Sequence, residues 1–91
     1  SIKDIRQYIE MVLQGDDTIE MRLEMFRHQR EELRAQMEEL EHTMEMVEYK
    51  CWYYETAKKA GTIDVPRDMK VNEVPERFRK ILRELRKVPE A

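Results

Sequence analysis

A hydrophobic seam constrains this chain more than any other feature. Ile19, Leu23, Phe26, Arg30, Leu33, Met37, Leu40, Met44, Val47, Cys51 and Tyr54 follow one another at alternating steps of four and three. That alternation keeps one stripe of a helix turned to one side, as a helix needs when it packs lengthwise on another helix. Only Arg30 interrupts the apolar run. The chain has 91 residues, of which 41% are charged and 41% hydrophobic, so it has little apolar material left to cover the stripe by itself. The seam therefore predicts dimerisation before it predicts anything else.

Two Gly and three Pro in the whole chain are the composition of long helices. From Thr18 to Ala60 there is neither, which predicts one helix of about 65 Å. Upstream, Ser1 and Asp4 have the spacing of a capping box, and Ile2, Ile5, Ile9, Val12 and Leu13 give a short helix one apolar face. Gly15 is expected to end that helix in a left-handed cap. Asp17 and Glu20 are placed to open the long helix reciprocally, with Asp16 adding favourable charge. Gly61 stops it. Thr62 to Val71 reads as a loop, with Pro66 opposing helix there, and Asn72 as the cap of a last helix carrying Pro75 in its first turn. Phe78, Ile81, Leu82 and Leu85 give this last helix an apolar face, surrounded by Arg77, Arg79, Lys80, Arg83, Arg86 and Lys87. The expected fold class is all-α: a short helix, one long coiled-coil helix, a loop and a short C-terminal helix.

Charge decides the direction of pairing. With Leu33 at d and Met37 at a, the e positions are Glu20, Arg27, Arg34, Glu41, Glu48 and Glu55. A parallel pair would set Arg22 against the partner's Arg27 and gain only Lys50 with the partner's Glu55 as a good ion pair. An antiparallel pair centred between Glu38 and Glu39 sets Arg27 beside the partner's Glu48 and Arg34 beside the partner's Glu41. Its core layers join Leu23 to Tyr54, Phe26 to Cys51, Arg30 to Val47, Leu33 to Met44 and Met37 to Leu40 across the two chains. Exposed pairs contribute under ~1 kcal/mol each, but like-charge contacts cost similar amounts, so such differences set the register. The expected assembly is an antiparallel coiled-coil homodimer.

Off the seam lie two further apolar groups, Met21 with Met25 and Met46 with Tyr49, Trp52 and Tyr53. The antiparallel register brings Met25 near the partner's Trp52, and the first helix is the expected cover of these platforms. Tyr49, Cys51, Trp52 and Tyr53 are the candidate effector pocket, an aromatic box for an apolar or cationic ligand. The same aromatics also serve simply as a packing platform. Cys51 has two readings: a thiol sensor, or a small hydrophobe packed in the seam, which its a position favours.

The remaining residues exclude several classes. A net charge of −3 with interleaved signs makes a solvated surface, not one that attracts polyanions. No apolar run approaches the roughly 18 residues of a membrane span, no signal-peptide pattern opens the chain, and one cysteine fits a reducing compartment. A cytoplasmic protein without membrane contact is expected, and a start at Ser1 without Met suggests removal of something upstream. No nucleophile–base pair or phosphate-cradling loop is present, so no enzyme is expected. Glu31, Glu32, Glu38, Glu39 and Glu45 are outward carboxylates. His28 and His42 both fall at f, and Asp64 and Asp68 lack a soft ligand, so neither metal nor cofactor is expected.

The opening SIKDIRQYIEMVL, the break GDDTIEMRLEM, the long acidic-basic helix and its ending VEYKCWYYETAKKAG together resemble the MerR family of bacterial transcriptional regulators. The resemblance implies that 1–14 is the last helix of a DNA-binding head, 17–60 the dimerisation helix, and 61–91 an effector-linked tail. It implies antiparallel homodimers that space two heads on a palindromic promoter, engage RNA polymerase indirectly and respond to a small-molecule effector. The recognition helix and wing of such a head are absent here, so promoter DNA would be met through a head this sequence does not contain. The alternative from another class is a plain coiled-coil adaptor with no DNA role.

Overall fold

The computed structural model describes residues 1–87, and every regular element among them is helical. Helix α1 spans Ile2–Gln14, α2 Ile19–Ala60, α3 Asp64–Arg67 and α4 Glu76–Lys87, with 3-10 turns at Asp16–Thr18 and Val71–Glu73. The expected all-α class and the single long helix are thus both observed. Positions 88–91 of the expected tail lie outside the described residues. The chain forms two compact units, Ser1–Glu38 and a second from Glu39 onward, and α2 runs through both.

In the first unit, Ser1 Oγ accepts from the Asp4 N–H at 3.2 Å and opens α1 as the sequence predicts. The buried side of α1 is not the expected one. Met11 is only 6% exposed, and Tyr8 stands edge-on to Phe26 of α2 with ring centroids 5.3 Å apart. Ile2, Ile5, Ile9, Val12 and Leu13 do share an apolar face, but that face is exposed. The physical reason is rotational: Met11 lies half a turn round the helix from Ile2 and Leu13, so a helix resting on Met11 turns its isoleucines outward.

In the second unit, α4 packs on the C-terminal part of α2. Phe78, Ile81 and Leu82 are buried with Tyr49 and Val74, and Met46, Trp52, Tyr53, Met69, Val71 and Leu85 pack around them. The platform of Met46, Tyr49, Trp52 and Tyr53 is therefore covered by the C-terminal helix, where the first helix had been expected. Gly61, at φ 78°, ends α2 with the Thr62 N–H donating to the Ala57 carbonyl at 3.2 Å, the six-to-one bond of a Schellman stop.

The expected loop from Thr62 to Val71 is more ordered than its proline suggests. Pro66 sits inside α3, whose N-cap is Ile63, so its missing N–H falls in the first turn, where no helical acceptor exists anyway. Asn72 does not cap α4. It lies in the second 3-10 turn, and Pro75 precedes α4, its carbonyl accepting from the Phe78 N–H at 2.9 Å. Arg79 donates to the carbonyls of Val74 at 3.0 Å and Asn72 at 3.2 Å, and Arg86 donates to the Met69 carbonyl at 2.7 Å. Two arginines of α4 thus hold the turn that precedes it.

Phe78 is the central contact of this docking, with centroids 5.9 Å from Tyr49 and 5.8 Å from Trp52. Phe78→Ala is expected to destabilise the second unit by about 3 kcal/mol. Trp52, the only tryptophan, reports the loss as an earlier denaturant midpoint and red-shifted emission.

Candidate functional site

Three features of this chain have the geometry to do something beyond folding: the seam, the aromatic cluster and the corner between α1 and α2. The seam is uncovered. Leu23, Phe26, Leu33, Met37, Leu40, Met44, Val47 and Tyr54 each keep between 46% and 69% of their surface exposed. Arg30, Cys51 and the flanking Arg27, Arg34, Glu41 and Glu48 are exposed too. A soluble surface seldom leaves so continuous an apolar stripe to water unless a partner takes it.

The charges beside the seam are satisfied unequally. Arg27 pairs with Glu24 at 2.6 Å and Arg34 with Glu31 at 2.9 Å, each one turn back on the same helix. Arg30 also reaches Glu31, at 3.8 Å, and His28 pairs with Glu32 at 3.0 Å. Exposed pairs of this kind contribute a few tenths of a kcal/mol, so they exchange partners readily. Glu41 and Glu48 make no ion pair among the described residues.

Of the expected effector residues, the fold brings Tyr49, Trp52 and Tyr53 into one cluster beneath α4 and leaves Cys51 outside it, exposed. Helical spacing explains the split, because Cys51 continues the four-three steps of the seam while its neighbours face the other way. Tyr49 is 8% exposed, and burial, with Tyr53 adding to it, pushes its phenol above the usual tyrosine range. His42, at an f position, lies 3.3 Å from Glu84 of α4 and adds a polar contact at the edge of the same interface.

No group of three or more His, Cys, Asp or Glu able to hold a metal occurs among the described residues. Asp64 and Asp68 are both engaged by Arg67 at 3.0 Å, and its hydrogen bonds hold the Asp68 carboxyl below the usual carboxylate range. Among the described residues no helix is long and apolar enough to cross a membrane.

The corner between α1 and α2 is the feature that sequence reasoning missed. Gly15 has φ 91° and ψ −156°, a positive φ as expected but not the left-handed helical cap. Extended ψ at positive φ is held essentially by glycine alone. The expected reciprocal bonds of Asp17 and Glu20 are not what closes this corner. Thr18, 4% exposed, points its hydroxyl at the carbonyls of Met11 and Gly15. Arg22 donates from Nε to the Thr18 hydroxyl at 3.1 Å and from Nη2 to the Gly15 carbonyl at 2.8 Å. The steps Gly15, Thr18, Arg22 carry the signal, because a residue three after the glycine and another one turn later both face back toward the helix just ended. Near this corner, an open groove of about 720 Å³ lies between α1 and α2, with Ile5 and Tyr8 on one wall and Met25 and Phe26 on the other.

A family profile described as MerR, DNA binding, matches residues 1–48. An uncharacterized HTH-type transcriptional regulator of Haemophilus influenzae (strain ATCC 51907 / DSM 11121 / KW20 / Rd) is 36% identical over 63 residues, 69% of this chain and 47% of that protein. The chain thus spans about half the length of the curated relative it matches. No solved structure matches it.

The raised Tyr49 pKa has a pH consequence. The native state prefers the neutral phenol, so its contribution is fully present below the unfolded value near 10 and is lost as pH rises through the folded one. Thermal melts from pH 8 upward are expected to show alkaline destabilisation beginning above about pH 10. Tyr49→Phe, with no proton to lose, is expected to flatten that decline.

Proposed function

Because the chain belongs to the MerR family, we propose that it is the dimerisation and effector-linked region of a DNA-binding transcriptional regulator, spacing two DNA-binding heads on a palindromic promoter. The observation that carries this reading is the uncovered four-three seam of α2. A second copy in antiparallel register sets Leu23, Phe26, Leu33 and Met37 against the partner's Tyr54, Cys51, Met44 and Leu40, lays Arg30 over the partner's Val47, and gives Glu41 and Glu48 the partner's Arg34 and Arg27. Those two arginines give up only weak local pairs to do so.

The exposed isoleucine face of α1 supports the assignment of 1–14 to a DNA-binding head. A head of which α1 is the last helix would bury Ile2, Ile5, Ile9 and Leu13 in its own core. Promoter DNA is met by that head, and RNA polymerase is engaged only through the DNA it shapes. The effector-linked part is the second unit, where a small apolar ligand that loosens Phe78 from Tyr49 and Trp52 would change how α4 sits on α2.

The register is tested by cross-linking. In a chain carrying Arg27→Cys and Glu48→Cys with Cys51→Ala, oxidation is expected to join position 27 of one copy to position 48 of the other. Preferential bonds between the two copies of position 27 would overturn the antiparallel pairing. Sedimentation equilibrium is expected to give twice the chain mass, and Met37→Glu, placing a charge in the central layer, is expected to return it to the monomer.

A further inference from the structure

We propose that Thr18 and Arg22 are positioning residues that lock the angle between α1 and the start of α2. The case begins with the end of α1. A helix leaves its last carbonyls without helical partners and gathers partial negative charge there. In α1 the last turn carries no basic residue to offset it. The Gly15 N–H turns to the Val12 carbonyl at 3.1 Å, which leaves the Met11 carbonyl without its usual donor four residues on.

The donor comes from the 3-10 turn before α2 instead. The Thr18 hydroxyl lies within reach of the Met11 and Gly15 carbonyls and gives its one proton to either, while its oxygen accepts from Arg22 Nε. The second arm of the same guanidinium bonds the Gly15 carbonyl at 2.8 Å. Arg22 therefore supplies the cation that α1 lacks, from a position two turns away along the chain. Asp16 and Asp17 sit at the opposite, positive pole where α2 begins.

A planar guanidinium bonding a hydroxyl and a carbonyl at once accepts only a narrow range of orientations. Gly15 needs such a restraint, because a glycine has no side chain to narrow its backbone freedom. Met11 and Thr18 are both buried, so a bond between them broken by rotation of α1 would not be replaced by water without opening the corner. The corner is therefore a fixed elbow, not a flexible linker. Its consequence for a regulator rests on the function proposed above: a head carried on α1 would inherit an angle set by Arg22. The geometric claim itself needs only this chain.

The test is a distance measurement on the full chain with spin labels at Glu10→Cys and Glu38→Cys, Cys51→Ala, diluted in unlabelled protein so that only intrachain distances are read. One narrow peak is expected. Arg22→Met, which keeps the stem but loses the donors, and Thr18→Val, which keeps the shape but loses the hydroxyl, are each expected to lose that peak to a broad distribution at unchanged helix content. Thr18→Ser, which keeps the hydroxyl, is expected to restore it. Equally narrow distributions in Arg22→Met and Thr18→Val would overturn the lock, as would loss of helix content together with the peak in both. Sedimentation separates this from the function proposed above. A dimer mass kept by both variants supports a positioning role, and a mass lost only in them counts against it. If the unaltered chain is itself a monomer, the dimer reading fails while a broadened peak still supports the lock.

Discussion

One helix of 42 residues has to meet different demands on different sides and at different ends, and every other element is arranged around that constraint. With neither Gly nor Pro inside it, α2 cannot fold back on itself to bury what it carries. Its apolar residues must therefore be covered by something else. Tyr49, Trp52 and Tyr53 receive α4, Phe26 receives the edge of Tyr8 from α1, and the rest of the four-three stripe stays exposed among the described residues.

The two units obtain their order in different ways. In the second, order comes from packing: Phe78, Ile81 and Leu82 fill a site walled by aromatics, and arginines of α4 tie the preceding turn to it. In the first, Met11 and Thr18 are buried, and the corner is held by polar bonds from Thr18 and Arg22 to the carbonyls of Met11 and Gly15. A packed cluster tolerates some sliding of its side chains, whereas a two-armed bond to fixed carbonyls does not.

The elements whose signals are local were legible in the sequence. The Ser1 cap, the stops at Gly15 and Gly61, the uninterrupted α2 and the face of Phe78, Ile81, Leu82 and Leu85 all rest on spacings within a few residues. The errors came where the partner of a face had to be chosen. The aromatic platform is covered by α4 and not by the first helix, because nothing in the residues 46–53 says which amphipathic helix arrives. Pro66 as a local signal opposes helix, although in a first turn it forfeits no hydrogen bond. The corner was assigned to acidic capping by Asp17 and Glu20, a common device, while the bonds run through Thr18 and Arg22.

By itself, the sequence determined that the chain is helical and that α2 presents one apolar stripe. Periodicity and composition are properties of neighbours along the chain, so they survive without coordinates. Only the tertiary structure decided that α1 rests on Met11 and Tyr8 and turns its isoleucines outward, that α4 seals Tyr49, and that Cys51 stays with the seam outside the aromatic cluster. Those outcomes depend on which surfaces meet. An amphipathic helix states that it will bury a face, but the identity of what covers that face is set by the rotation and reach of the other elements.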